Sequence, residues 1–124
     1  MSQLAFIALG GALGAVTRFL VSNGVYALLG RGFPWGTLAV NVLGSLMMGV
    51  LAVLMLERLS TGSELRGLLL VGFLGAFTTF STFSIETLNL IEDGALLRAG
   101  LNAVVSVLLC VLAAWFGVAI GRQL

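Results

Sequence analysis

Four long runs of apolar residues, separated by three short polar stretches, make up most of this chain. The runs cover about residues 4–29, 35–56, 67–91 and 96–120. Because a helix needs roughly 20 apolar residues to cross a bilayer, the pattern predicts four transmembrane helices in one domain over residues 1–124. The loops are so short that they favour antiparallel neighbouring helices. In the first run, Gly10 and Gly14 form a G-x-x-x-G pattern, which favours close helix packing.

The third run differs from an ordinary lipid-facing helix. Residues 72–83 read GFLGAFTTFSTF, with four hydroxyl groups and four phenylalanines in twelve residues. Two glycines and a Thr-Thr pair indicate a point at which the helix opens. Non-helical backbone inside a membrane is tolerated only where it is buried in protein or lines a cavity. The stretch therefore predicts a functional site as well as a span.

Neutral polar residues recur on three of the predicted helices. Residues four positions apart share a helix face. Two sets have this spacing and a third follows the Thr-Thr pair: Thr37, Asn41 and Ser45; Asn102, Ser106 and Cys110; Ser81, Thr82 and Ser84. These groups are typical of hydrogen bonds between helices, worth about 0.6 kcal/mol each in membranes. Three such sets in so small a protein favour the alternative, a polar path.

The phenylalanines allow two interpretations. Phe73, Phe77, Phe80 and Phe83 follow a helical spacing that is usually a packing stripe. Phe80 and Phe83, however, flank a Ser-Thr pair, and the edge of an aromatic ring is electropositive. A ring edge can contact a small anion without holding it tightly, which suits conduction.

Composition makes the chain an integral membrane protein. It is 60% hydrophobic and 9% charged, with a mean hydropathy of +1.17, too apolar for a soluble domain. The N-terminus lacks the features of a cleaved signal, so the first run is expected to be a retained helix. The chain has no His and one Cys, Cys110, which excludes a disulfide framework. The sequence offers no set of catalytic residues, so we do not expect an enzyme. Nothing in it indicates a nucleic-acid partner.

Two charged residues lie well inside the predicted spans. Arg18 and Glu86 are costly in hydrocarbon, and such residues are functional candidates by default. Arg18 is a candidate for an anion-attracting vestibule and Glu86 for a direct role in transport. Each has a structural alternative as a paired or snorkelling group.

The remaining arginines give little information on orientation. Arg58, Arg66 and Arg122 belong to one side of a four-span protein, and Arg31 and Arg98 belong to the other. Orientation follows Lys and Arg in short loops. A difference of one charge predicts that both orientations insert.

Three motifs together resemble the Fluc (CrcB) fluoride channels of bacteria and other microbes: GGALGAVTRF over residues 10–19, NVLGS over 41–45 and GFLGAFTTFSTFS over 72–84. Phe19 stands where many members have Tyr. The resemblance implies an all-α antiparallel, dual-topology homodimer in the inner membrane, with the third helix of each subunit broken at mid-membrane. It also implies passive fluoride export and hence fluoride resistance.

The same resemblance assigns roles to particular residues. Fluoride pores would be lined by Asn41, Phe80, Phe83, Ser81, Thr82 and Ser106. A structural sodium ion at the dimer centre would be held by the backbone carbonyls of Gly75 and Thr78 from both subunits. Supporting or vestibule positions would be Arg18, Glu86, Thr37 and Asn102.

Two other interpretations stay open at this level. A small dual-topology proton-coupled exporter needs a titratable carboxylate in its binding site, and the one candidate inside a span, Glu86, lies near one end of its run. A non-transporting assembly subunit would use the Phe, Ser and Thr residues for packing alone.

Overall fold

The computed structural model describes residues 2–58 and 61–124, which are almost entirely helical. Helix α1 covers Ser2–Leu29, α2 covers Trp35–Arg58, α3 covers 63–77, α4 covers Phe80–Glu92 and α5 covers Leu96–Gln123. Helix α2 becomes a π-helix over Val53–Arg58, and α3 is π-helical over Gly67–Leu74. Four segments are long and apolar enough to cross a membrane: Ser2–Leu29, Trp35–Arg58, Ser63–Glu92 and Leu96–Gln123. The predicted all-α class is therefore confirmed, and the described residues include four segments able to span a membrane, as predicted.

The helices extend further into the polar stretch 57–66 than the sequence predicts. Residues 57 and 58 continue α2, and α3 begins with the helical turn Ser63–Arg66. Charged groups are bonded where α2 ends beside the C-terminus. The Arg58 guanidinium donates to the Arg122 carbonyl, and the Arg122 guanidinium lies 4.0 Å from the Glu57 carboxylate. These contacts join the polar end of α2 to the end of α5.

Helix α1 packs along the π-helical part of α3, and close backbone contact makes this possible. A Cβ atom at Gly10 would overlap the Leu68 carbonyl, and one at Gly14 would overlap the Phe73 carbonyl. Both glycines are buried. Only glycine fits at these positions, so the predicted packing role of the G-x-x-x-G pair is confirmed.

Helix α2 packs against α5 on the other side of the chain, where Gly49 meets Gly117. The core between the helices is small and includes Val40, Leu74 and Phe77. Large apolar side chains remain exposed on every helix. A chain with so little core and so much apolar surface is suited to lipid and to contact with another protein surface.

Helical geometry stops at two residues between α3 and α4. Thr78 has φ −87° and ψ 157°, and Thr79 has φ −151° and ψ 121°, so both are extended. This interruption falls within the Thr-Thr pair of the 72–83 stretch. It brings backbone N–H and C=O groups of Thr79 to the surface of α2.

Candidate functional site

A groove with a cavity of about 430 Å³ lies between α2, the interruption and α5. It brings together four of the six predicted pore residues: Asn41, Phe80, Phe83 and Ser106. The remaining lining residues are Gly44, Ser45, Met48, Thr78, Thr79, Val107, Cys110, Val111 and Ala114. The other two candidates, Ser81 and Thr82, lie on α4 but not in this lining. The groove is apolar with a few hydroxyl and amide groups, and no Asp, Glu, Lys or Arg is among its described lining residues.

Asn41 binds the extended backbone of the interruption with both ends of its amide. Its Nδ2 donates to the Thr79 carbonyl at 2.9 Å, and its Oδ1 accepts from the Thr79 N–H at 2.7 Å. A side-chain amide thus takes the place of a neighbouring strand, which leaves neither Thr79 backbone group unpaired. One Nδ2 hydrogen remains available to the groove.

Thr79 also begins helix α4 with its side chain. Its Oγ1 accepts from the Thr82 N–H at 3.2 Å and lies 3.4 Å from the Ser81 hydroxyl. This is the geometry of an N-cap, which stabilises a helix by about 1 kcal/mol. The predicted pore residues Ser81 and Thr82 therefore sit in the first turn of α4, beside the cap.

The side chain of Arg18, on α1, contacts the end of α3. Its Nε donates to the Ala76 carbonyl at 3.0 Å, and it lines neither this groove nor the second cavity described below. A cation is favourable at a helix C-terminus, where free carbonyls carry partial negative charge. The geometry places Arg18 as a cap on the interrupted helix. This corresponds to the structural alternative for Arg18, a paired group, and not to an anion-attracting vestibule.

The two pairs of phenylalanines have different surroundings. Phe73 and Phe77 stack with centroids 5.9 Å apart and planes at 9°, and Phe77 is buried, as expected of packing residues. Phe80 and Phe83 are tilted at 38° with centroids 5.2 Å apart, and both line the groove. Phe80 is 76% exposed. The second pair is therefore accessible to a ligand or to another protein surface.

Ser106 is the first member of a chain of hydrogen bonds that ends at Phe83. The Ser106 hydroxyl donates to Asn102 Oδ1 at 3.2 Å, and Asn102 Nδ2 donates to Thr87 Oγ1 at 2.8 Å. The Thr87 hydroxyl in turn donates to the Phe83 carbonyl at 2.7 Å. Ser106 and Asn102 are buried. Asn102 thus supports the groove from behind, and Thr87, which the sequence analysis missed, lies one helical turn after Phe83.

Glu86 and Thr37 meet outside the groove. The Glu86 carboxylate accepts from the Tyr26 hydroxyl at 2.7 Å and from the Thr37 hydroxyl at 2.5 Å. Arg31 stacks over the Tyr26 ring, 4.4 Å from its centroid. A second cavity of about 190 Å³ is lined by Tyr26, Arg31, Pro34, Glu86, Asn89, Leu90 and Asp93. Tyr26 was missed because a tyrosine in an apolar run carries no motif of its own.

The residues expected to hold a cation, Gly75 and Thr78, offer neutral oxygen atoms: two backbone carbonyls and the Thr78 hydroxyl, which donates to the Leu74 carbonyl. Gly75 is exposed, and a Cβ there would meet nothing nearer than the Leu70 carbonyl at 3.9 Å, so its surroundings are open. Within the described part of the chain, no group of three or more His, Cys, Asp or Glu side chains is placed to bind a metal. A cation here would have to be a hard one that accepts carbonyl ligands.

Comparison with known proteins gives a consistent result over the whole chain. The family model for CrcB-like protein, Camphor Resistance (CrcB), matches residues 5–118. The fluoride-specific ion channel FluC of Magnetococcus marinus is 61% identical over 120 residues, which is 97% of this chain and 98% of that protein. FluC of Geobacter sulfurreducens is 51% identical over 124 residues, the full length of both chains. FluC of Methylococcus capsulatus is 58% identical over 118 residues, 95% of this chain but 52% of the longer relative.

Proposed function

The chain belongs to the CrcB-like family, and from that premise we propose that it is a fluoride-selective channel of the bacterial inner membrane. Fluoride would leave the cytoplasm through it by passive electrodiffusion, which would give the cell fluoride resistance. The relatives carry the name of an ion channel, and this chain is not an enzyme. The observation that carries the proposal is the groove in which Asn41, Phe80, Phe83 and Ser106 surround the interruption.

The lining of the groove suits a small, strongly hydrated anion. Hydroxyl and amide groups are neutral donors that replace water without the tight binding of an ammonium group. The tilted rings of Phe80 and Phe83 add electropositive edges. Binding must be favourable enough for entry and weak enough for exit. We expect the rings to narrow the closed path enough to exclude larger anions such as chloride.

A single chain leaves this path open on one side. Phe80 is 76% exposed, and Ser81 and Ser84 are exposed on the same helix. We expect a second copy in antiparallel orientation to close the groove, which gives two pores per homodimer. Ser81 and Thr82 would then complete the polar lining at the start of α4. In this arrangement the interruption lies at mid-membrane, where irregular backbone needs protein on both sides.

The second copy would also complete a structural sodium site. One chain supplies the carbonyls of Gly75 and Thr78, and two chains related by a two-fold axis supply four. Gly75 is exposed in the single chain, which leaves room for a second copy at this point. Sodium supplies positive charge that satisfies carbonyl groups for which hydrocarbon offers no partner.

The groove favours a channel over a proton-coupled exporter. An exporter of that kind needs a titratable carboxylate at the binding site, and Glu86 lies outside the groove with both oxygens bonded by Tyr26 and Thr37. Liposomes loaded with fluoride and equipped with a potassium ionophore test this difference. We expect fluoride efflux, followed with a fluoride electrode, to run at full rate without a pH gradient. Dependence on the gradient would indicate an exporter, and no efflux would indicate an assembly subunit.

Dual topology yields a separate prediction. Because the two sides differ by one arginine, adding two lysines next to Thr61 and Gly62 should bias insertion toward one orientation. The yield of functional dimer should then fall, and co-expression of a copy biased the opposite way should restore it. Adding two glutamines at the same place is the matched control. Cysteine-accessibility labelling of the termini in intact cells measures orientation directly, and termini on a single side in the unmodified protein would contradict this assembly.

A further inference from the structure

We infer that the side chains of Asn41 and Thr79 create the proposed cation site by diverting the two amide protons that a continuous helix would give to Gly75 and Thr78. The inference rests on the proposed function, because the cation is assigned there. It gives a specific task to Thr79, a residue that belongs to neither the predicted pore nor the predicted metal ligands. In this role Asn41 and Thr79 are positioning residues, which act on the ion through backbone groups.

The register of an α-helix identifies the diverted protons. In a continuous helix each N–H donates to the carbonyl four residues earlier, so Gly75 would receive the Thr79 N–H and Thr78 would receive the Thr82 N–H. In the structure the Thr79 N–H donates to Asn41 Oδ1 at 2.7 Å. The Thr82 N–H donates to Thr79 Oγ1 at 3.2 Å. All four carbonyls from Gly75 to Thr78 lose their helical donors at the interruption. The two proposed as cation ligands, Gly75 and Thr78, are those whose donors are taken by the side chains of Asn41 and Thr79.

Neighbouring carbonyls are already bonded. The Leu74 carbonyl accepts from both the N–H and the hydroxyl of Thr78, at 3.1 Å and 3.0 Å. The Ala76 carbonyl accepts from Arg18, and the Thr79 carbonyl accepts from Asn41. These bonds make the carbonyls at positions 74, 76 and 79 less available to a cation than those of Gly75 and Thr78.

All of these bonds lie within one chain, so the site is prepared before a cation or a second copy arrives. A buried polar group without a partner costs several kcal/mol in hydrocarbon. The diverted N–H groups avoid that cost because side chains accept from them. The carbonyls of Gly75 and Thr78 have lost these donors and still bear the cost. The exposed carbonyls therefore provide a driving force for binding a hard cation and, through it, a second subunit.

The test replaces Thr79 with valine, which keeps the shape and removes the acceptor. The Thr82 N–H is then free to return to the Thr78 carbonyl. Purified dimer is titrated from sodium chloride into N-methyl-D-glucamine chloride at constant ionic strength, and size-exclusion chromatography gives the sodium concentration that retains half of the dimer. We expect Thr79→Val to raise this concentration about tenfold, which corresponds to about 1.4 kcal/mol. Thr79→Ser keeps the acceptor and should behave like the parent.

A control and a second variant separate this role from general stability. Thr17→Val makes the same change at an exposed threonine whose hydroxyl bonds the Leu13 carbonyl in α1, and it should leave the sodium midpoint unchanged. Asn41→Leu removes the other diverting acceptor and should raise the midpoint as Thr79→Val does. Dimer content at saturating sodium measures the purely structural cost of each change. The inference would be overturned if the loss of dimer measured at saturating sodium accounted for the whole shift in the sodium midpoint.

The outcomes distinguish this inference from the proposed function. An unchanged midpoint in both Thr79→Val and Asn41→Leu refutes the inference and leaves fluoride conduction standing. A parent dimer that is indifferent to sodium refutes both the cation site and the inference, while liposome efflux still decides the channel. If the variants fail to fold, amide exchange in the unmodified protein without sodium decides instead. Protected amides at residues 79 and 82 beside rapidly exchanging ones at 80 and 81 support a prepared site. Protection of all four, as in a continuous helix, or rapid exchange at 79 and 82 contradicts it.

Discussion

Fluoride flux through the Phe83→Ile variant is expected to fall at least tenfold, while the protein still forms a folded dimer. Isoleucine keeps an apolar side chain of substantial size but has no ring edge to offer an anion. Phe83 lines the groove and lies 5.2 Å, centroid to centroid, from Phe80. A tenfold loss corresponds to about 1.4 kcal/mol in the barrier to conduction. Initial efflux rates from liposomes with equal protein content measure it.

The matched control is Phe116→Ile. Phe116 is 54% exposed on α5 and lies outside the groove, so the same substitution there should leave flux within about twofold of the parent, as surface changes usually do. Size-exclusion profiles show whether both variants remain dimers. Flux close to that of the parent in Phe83→Ile would make Phe83 a packing residue, like Phe77.

Asn41→Asp should nearly abolish fluoride flux at neutral and higher pH. Aspartate keeps the oxygen that accepts from the Thr79 N–H, but its second oxygen replaces the donor that binds the Thr79 carbonyl at 2.9 Å. An ionised carboxylate then faces a carbonyl and also places negative charge beside an anion path. A protonated carboxyl donates to that carbonyl and carries no charge. Relative to the parent at each pH, flux should therefore recover as the pH falls.

Asn23→Asp is the control for the added charge, since Asn23 lies on α1 and lines neither cavity. It should show the parent's flux across the same pH range. Flux through Asn41→Asp that is low at every pH, together with loss of the dimer, would assign Asn41 a purely structural role. Parental flux at high pH, once infrared spectroscopy shows the carboxylate ionised, would exclude an amide next to the pore.

The sequence predicts the four spans because each depends on a local property, a run of apolar residues long enough for a bilayer. It also predicts that Thr37, Asn41 and Ser45 share one face, since helical spacing is fixed. The structure adds what each residue touches: Thr37 bonds Glu86, Asn41 bonds Thr79 and Ser45 lines the groove. The sequence left two alternatives open for these residues, hydrogen bonding between helices and lining a path, and the residues on this one face do both.

Other parts of the site depend on contacts between distant residues. Arg18 bonds a carbonyl 58 positions away, and Tyr26 bonds a carboxylate 60 positions away. Periodicity within one helix contains no information on such partners. The role of Thr87 also depends on Asn102, on a different helix. The π-helical segments escaped prediction for a related reason, because tertiary packing and not local propensity sets their winding.

The turn of α3 that packs on α1 contains one residue more than the turn of α1 that it contacts. On α1, Gly10 and Gly14 are four residues apart, whereas the carbonyls that they contact on α3, Leu68 and Phe73, are five apart. One α-turn is thus aligned with one π-turn, which closes its hydrogen bonds over five residues. The extra residue of α3 is thus absorbed within a single turn. Losing one residue there would convert the wide turn to an ordinary one and leave everything after it in place, including Phe80 and Phe83 at the groove. A one-residue deletion in this turn should accordingly be tolerated better than one elsewhere in α3, where the residues that follow would rotate by about 100°.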